Sequence, residues 1–111
     1  MSIIDEMQKR RGGSVVSRKI YERTAEIGWC YRRDPVNEVD NGWVFTSDAD
    51  TKEDMSNPNS FVVLAWENLY KIEPEIAKIF DFPIGTELIF ETGEDGKKHF
   101  YDADTWEQLT Y

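Results

Sequence analysis

Residues 27–59 read IGWCYRRDPVNEVDNGWVFTSDADTKEDMSNPN, and the way this stretch folds decides the architecture of the 111-residue chain. Residues 27–33 alternate, with Ile27, Trp29 and Tyr31 on one side and Gly28, Cys30 and Arg32 on the other, the two-residue period of a strand. Asp34-Pro35 ends it, because proline brings no N–H to a ladder and Asp favours turns. Asn41-Gly42 is a turn signal immediately before a second strand at 43–47, where Trp43 and Phe45 alternate with Val44 and Thr46. Residues 47–59 then form a long polar connection that leaves through Asn57-Pro58-Asn59. Two neighbouring aromatic strands assign Trp29 and Phe45 to the core. Tyr31, Arg32 and Trp43 stay open between core and a recognition surface, since Trp, Tyr and Arg dominate interface hot spots.

Working outward, Val15-Val16 marks a short strand at 14–17, and SRKIYERTAE after it reads as a helical turn or an exposed loop. Residues 1–12 form an N-terminal helix or a frayed tail: Ile3, Ile4 and Met7 keep helical spacing, cations follow, and Gly12-Gly13 is a stop. On the other side, Phe61-Val62-Val63-Leu64-Ala65 is a continuous apolar run and reads as the central or doubly buried strand. A helical segment spans 66–71, and a second opens with Pro74 at its first position, where a missing N–H costs nothing. Residues 87–91 and 97–101 flank Asp95-Gly96 as a β-hairpin. The last residues are a capped helical turn from Asp104 or a final strand. The expectation is one α+β domain over residues 13–111, a mostly antiparallel β-sheet with one or two short helices packed on one face.

Thirteen Lys and Arg against 22 Asp and Glu give a formal net charge of −9. That balance repels phosphate backbones and anionic membranes, so neither nucleic acid nor a membrane is an expected partner, and a basic protein is. The ordinary reading of such a charge is solubility. Cys30 is the only cysteine, which excludes an intrachain disulfide, a zinc cluster and a CxxC redox pair and fits a reducing cytoplasm. No segment reaches signal-peptide or membrane-span character.

Motifs for chemistry fail one by one. Asp48, Asp50 and Asp54 fall at positions 1, 3 and 7 of a twelve-residue calcium loop, but Glu53 stands where the sharp turn needs Gly and Asn59 where a bidentate Glu belongs. Cys30 and His99 have no local motif to make them a nucleophile and base, and a buried thiol and a strand histidine are the default. Neighbouring carboxylates arise from composition alone. No catalytic residue, metal ligand or cofactor is expected.

Taken together, Val16-Ser17 with Lys19-Ile20, IGWCYRRDPVNEVDNGW, the acidic SDAD and the NPN exit resemble the bacterial polymorphic-toxin immunity proteins of family thirty-three. That family runs roughly V-G-W/F-M-Y-R-E-x-P, D-N-E-x-D-S-G-W, an acidic segment and D-N-P-x-N. Gly28, Trp29, Tyr31, Arg32, Pro35, Asn37, Glu38, Asp40, Gly42, Trp43, Asn57, Pro58 and Asn59 stand at the matching places. Residues 73–76 and 83–86 resemble its later segments, so the likeness covers about residues 13–101. The departures are Cys30 for Met, Arg33 for an acid, Asn41 for Ser and Thr46 for an aromatic.

The resemblance implies an α+β domain that binds and blocks a cognate toxin by protein–protein contact and needs no catalytic residue. Tyr31, Arg32, Asp40, Trp43, Asp48 and Asp50 are the expected toxin contacts; Gly28, Pro35, Gly42, Asn57, Pro58 and Asn59 are expected to shape turns. The alternative is a stand-alone cytosolic binding module for a small ligand or another protein. The sequence sets no oligomeric state.

Overall fold

The structure, a computed structural model, describes residues 11–109. The helix or tail expected over residues 1–12 therefore lies, but for its last two residues, outside the described part. Six strands form one sheet: β1 (Gly13–Ser17), β2 (Ile27–Arg32), β3 (Asp40–Ser47), β4 (Phe61–Ala65), β5 (Glu87–Thr92) and β6 (Lys98–Asp102), in the order β4-β1-β3-β2-β5-β6. Every neighbouring pair is antiparallel except β1 with β3. The helices are short: α1 (Arg18–Tyr21), α2 (Lys52–Ser56) and α3 (Trp66–Ile72), with 3-10 turns at Pro58–Ser60 and Pro74–Lys78. The sheet is thus mostly antiparallel and the fold α+β.

The core lies between one face of the sheet and α1, α3 and the Pro74–Lys78 turn. Val16, Ile27, Cys30, Trp43, Phe45, Leu88, Phe90 and Phe100 reach down from the strands to meet Ile20, Trp66, Leu69, Ile76 and Ile79. Aromatic rings link the layers: Trp66 sits 5.9 Å from Phe45 and 4.8 Å from Phe80, and Phe90 lies 4.4 Å from Phe100. Helix α2 buries no residue and is held instead by its ends. Thr51 and Asp54 form a reciprocal capping box there.

Five expectations are corrected by this architecture. The central strand is β3, buried along nearly its whole length, whereas β4 lies at the sheet edge with only Leu64 buried. An unbroken apolar run thus marks an edge strand, since Val63 faces outward and is 76% exposed. Strand β3 also starts three residues earlier than the Trp43 expected, and Asn41-Gly42 falls inside it rather than before it. The β1–β3 register skips there, with Gly13 opposite Asp40 but Val15 opposite Val44. Gly42, at φ +87°, lets the chain pass; a Cβ on it would stand 2.2 Å from the Arg33 carbonyl oxygen. Third, the polar connection at 47–59 holds a helix, α2, in addition to the turn expected at Asn57-Pro58-Asn59.

The fourth correction concerns Trp29. Ile27 pairs with Ser47 and Trp29 with Thr46, so β2 carries one residue more than β3 across this step, a β-bulge at Gly28. The glycine lets the bulge press on the neighbouring loop, where a Cβ would lie 2.8 Å from the Asp48 Cα. The bulge breaks the alternation, so Ile27 joins Cys30 in the core and Trp29 turns to the opposite face, half-buried. At the other end of the sheet, residues 102–109 are neither of the two elements expected. Asp102 accepts from the Asp104 and Thr105 N–H groups to close a turn, and Gln108 then bridges to Tyr101.

Candidate functional site

Helices α1 and α3 bury Ile20, Trp66 and Leu69 on the core face, and the opposite face of the sheet is built mainly from strand side chains, with Val36 and Val39 of the β2–β3 loop beside Val15 and Val63. The pairings set out its rows. Val63, Val15, Val44, Tyr31 and Glu87 follow one another across five strands. One step along, Thr46, Trp29, Ile89 and Tyr101 follow one another, with Gln108 beyond. The face has an aliphatic half over β4, β1 and β3 and an aromatic half over β2, β5 and β6.

In the aromatic half, Trp29 and Tyr31 rings lie 4.8 Å apart, as expected for residues two apart on one strand. Tyr101 lies 6.5 Å from His99 and 6.4 Å from Trp106, which is 55% exposed. Val44 and Thr46 are nonetheless buried, because the larger Tyr31 and Trp29 opposite them shelter these smaller side chains. Beside Trp29 the surface opens into a cleft of about 660 Å³ whose walls include Asp48, Glu91 and Lys98. Lys98 is tied to Glu26 at 2.8 Å and lies over the Phe90 ring, while the Asp48 and Glu91 carboxylates have no protein partner among the described residues.

The six residues expected to touch a toxin are scattered by the fold. Tyr31 stands on the helix-free face and Asp48 at the cleft, both accessible. Trp43 is fully buried, stacked on Phe45 at 5.9 Å, and its Nε1 donates to the Phe80 carbonyl at 3.1 Å. Arg32 lies on the core side, where its guanidinium donates to the carbonyls of Asn41, Phe80 and Phe82 at 2.8–3.0 Å and fastens the 80–82 segment to the sheet.

Asp40 accepts from Arg33 at 2.6 Å and from the Val36 and Gly42 N–H groups. Burial alone would raise its pKa, but these three donors outweigh it and hold the carboxyl below the ordinary range. Asp50 accepts from the Ser17 hydroxyl and the Ser47 N–H. Asp54, bonded to Lys19 and to the Thr51 N–H, is lowered to about 2. The acidic loop thus spends Asp50 and Asp54 on its own geometry, and among the described residues no group of three or more His, Cys, Asp and Glu is placed to hold a metal.

The turn residues have visible backbone work. Asn57 accepts from the Asn59 N–H, Pro58 opens the 3-10 turn, and the Asn59 carbonyl accepts from Arg18 Nε at 3.0 Å. Pro35 sits in the exposed loop after β2. Cys30 is in the core, where burial pushes its thiol pKa up, and His99 is on the other face with its Nε2 2.8 Å from an Asp95 oxygen. The structure does not bring thiol and imidazole together. No helix among the described residues is long and apolar enough to cross a membrane.

Sequence reasoning missed Trp29, Ile89, Tyr101 and Trp106 as members of one surface. A glycine inside the strand was the available signal of a bulge; the hairpin residues gave none, because each hairpin strand has apolar residues on both faces. No curated protein and no solved structure matches the chain. The family model described as the immunity protein Imm33 domain matches residues 14–101, which run from the first strand to the last and include the whole helix-free face up to Tyr101. The chain belongs to the Imm33 immunity-protein family.

Proposed function

We propose that the chain neutralises a cognate toxin by protein–protein contact in the cytoplasm, with no catalysis or cofactor of its own, and that the aromatic half of the helix-free sheet face makes the contact. The observation that carries this is the aromatic half of that face: Trp29, Tyr31, Ile89 and Tyr101 in adjacent positions with no helix over them. Half-buried aromatic side chains on a rigid sheet lose little entropy when covered and are the residues that dominate interface energies. Tyr31 and Asp48 keep the contact role expected of them. Arg32, Asp40, Trp43 and Asp50 support the surface from behind or beside it. The net charge of −9 favours a basic toxin, drawn in by electrostatic steering.

A small-ligand module is the second reading, favoured by the cleft beside Trp29, whose volume of about 660 Å³ is within the range of ligand sites. Its open, polar walls make it a better seat for a partner's side chain. The test is to recover the toxin domain with the tagged chain and assay toxin activity with wild type, Trp29→Ala and Tyr101→Ala. Loss of inhibition in stably folded variants supports the reading. Full inhibition by both refutes this face as the contact.

A further inference from the structure

The two edges of the sheet are treated differently. The β6 edge is closed: Gln108 bridges to Tyr101, the Leu109 N–H donates to Phe100 and the Asp102 N–H to Glu107. The β4 edge has no strand on its outer side among the described residues, and only its first N–H, that of Phe61, is taken, by the Pro58 carbonyl. Nor does FVVLA carry any of the devices that blunt an edge, such as a lysine, a proline or a bulge.

The register says which groups face out. The Trp66 N–H donates to the Gly12 carbonyl, and Leu64 and Val62 follow at the alternate positions opposite Ser14 and Val16. The antiparallel alternation therefore turns Val62 and Leu64 toward β1 and leaves the Val63 N–H and C=O, the Phe61 C=O and the Ala65 N–H pointing outward, while the Phe61 N–H donates to the Pro58 carbonyl and the Ala65 carbonyl lies at the N-cap of α3.

We infer that the β4 edge pairs antiparallel with the β4 edge of a second copy, about a two-fold axis at Val63. This inference does not depend on the toxin reading. The edge is complementary to itself in three respects. Val63 meets Val63 of the other copy, and their outward groups exchange both backbone bonds. Phe61 of each copy comes opposite Ala65 of the other, a large side chain over a small one. Ala65 is itself paired with Gly13, so the phenyl ring finds a trough between Val63 and the exposed Val39.

Charge completes the fit. Arg18 is fixed at one end of β4 by its bond to the Asn59 carbonyl, and Glu67 stands just past the other end. The same two-fold lays the Arg18 end of each β4 against the Glu67 end of the other. No charge lies within the paired segment itself. Five residues a side make a small interface, under about 1,200 Å², so the dimer is concentration-dependent.

Sedimentation and crosslinking test this with the full chain. Wild type is expected to shift from monomer to dimer as concentration rises toward about 0.5 mM, and more readily at about 0.3 M than at about 0.02 M salt, because screening relieves the repulsion of two acidic copies. Val63→Lys, at an exposed position, is expected to keep its melting temperature and raise the dimer dissociation constant at least about tenfold. Val63→Cys is expected to form a disulfide dimer on mild oxidation, because directly opposed residues have Cα atoms about 5.5 Å apart, within disulfide reach. Val36→Cys, equally exposed, is the control. A chain that stays monomeric throughout, or Val63→Cys that crosslinks no faster than Val36→Cys, overturns the inference. So does protection of the Val63 and Ala65 amides that arises only when a toxin domain is added, which gives the edge to that partner.

Discussion

Trp29 and Trp43 are fourteen residues apart on adjacent strands, and their replacement by alanine should have opposite consequences for stability and binding. Trp43 is fully buried, stacked on Phe45, with the Arg32 guanidinium carbon 5.8 Å from its ring and its Nε1 bonded to Phe80. Truncating such a residue costs about 3–5 kcal/mol. The Phe80 carbonyl keeps its bond from Arg32, so no buried acceptor is orphaned and nothing larger need be added. A 111-residue chain with an unfolding entropy of about 2.1 cal/mol/K per residue has about 0.23 kcal/mol/K in all, so each kcal/mol moves Tm by about 4 °C. Trp43→Ala should therefore lower Tm by roughly 13–21 °C.

Trp29 is half-buried and touches mainly Tyr31 and its cross-strand neighbours. Its loss should cost about 1–2 kcal/mol, or roughly 4–9 °C, at the usual value per area buried. Toxin binding should show the reverse order. Trp29→Ala should weaken it by at least about 2 kcal/mol, near thirtyfold, as for an aromatic hot spot, whereas the folded fraction of Trp43→Ala binds with little change. Circular-dichroism melts and titration calorimetry of the two variants decide the matter. A Trp29→Ala melt as low as that of Trp43→Ala would refute the assignment of Trp29 to an open face.

Three further outcomes follow from particular contacts. Gly42→Ala should be destabilised by more than the ~1–3 kcal/mol of strain at a positive φ, because the added Cβ also meets the Arg33 carbonyl; the urea midpoint reads this out. Asp54 has its pKa lowered from 3.8 to about 2 by Lys19 and the Thr51 N–H, so its contribution is fully present above about pH 4 and disappears as pH falls through 2. The stability gap between wild type and Asp54→Ala, followed by urea unfolding, should accordingly be constant from pH 5 to 7 and close between about pH 4 and 2. Arg32→Lys should loosen the 80–82 segment, since one ammonium cannot reproduce the forked donation to three carbonyls, and amide exchange at the Thr86 and Gly85 N–H groups should quicken.

The strand content of this fold was legible because alternation and turn residues are local properties. Strands at 14–17 and 61–65, the β5–β6 hairpin and the helix after Ala65 all stand close to where periodicity sets them. The order of the strands was not legible. Phe61-Val62-Val63-Leu64-Ala65 has the composition of a central strand, and only the parallel β1–β3 pairing, made over more than twenty residues of chain, moves it to the edge. One bulge misassigned Trp29, since an extra residue inverts every side chain beyond it. The candidate surface was half legible: Tyr31 and Asp48 are accessible, but the acids of SDAD look alike in sequence. Whether a carboxylate bonds its own loop, as Asp50 does, or faces solvent, as Asp48 does, depends on Ser17, thirty-three residues away.

The same formal charge of −9 bears on both proposed contacts with opposite sign. A basic toxin meeting the Trp29 face should associate more slowly as salt rises, because screening removes the attraction that steers it; an association rate unchanged between about 0.05 and 0.5 M salt would remove the electrostatic argument for a basic partner. Pairing of two copies through β4 joins like charges and should strengthen over the same range. The two surfaces lie at different ends of the sheet, with Trp29 and Tyr101 on β2 and β6 and Val63 on β4, so Val63→Lys should leave toxin inhibition intact while it abolishes the salt-enhanced dimer. A variant that lost both together would show that inhibition requires the paired form, and would place the aromatic face and the β4 edge in one functional unit.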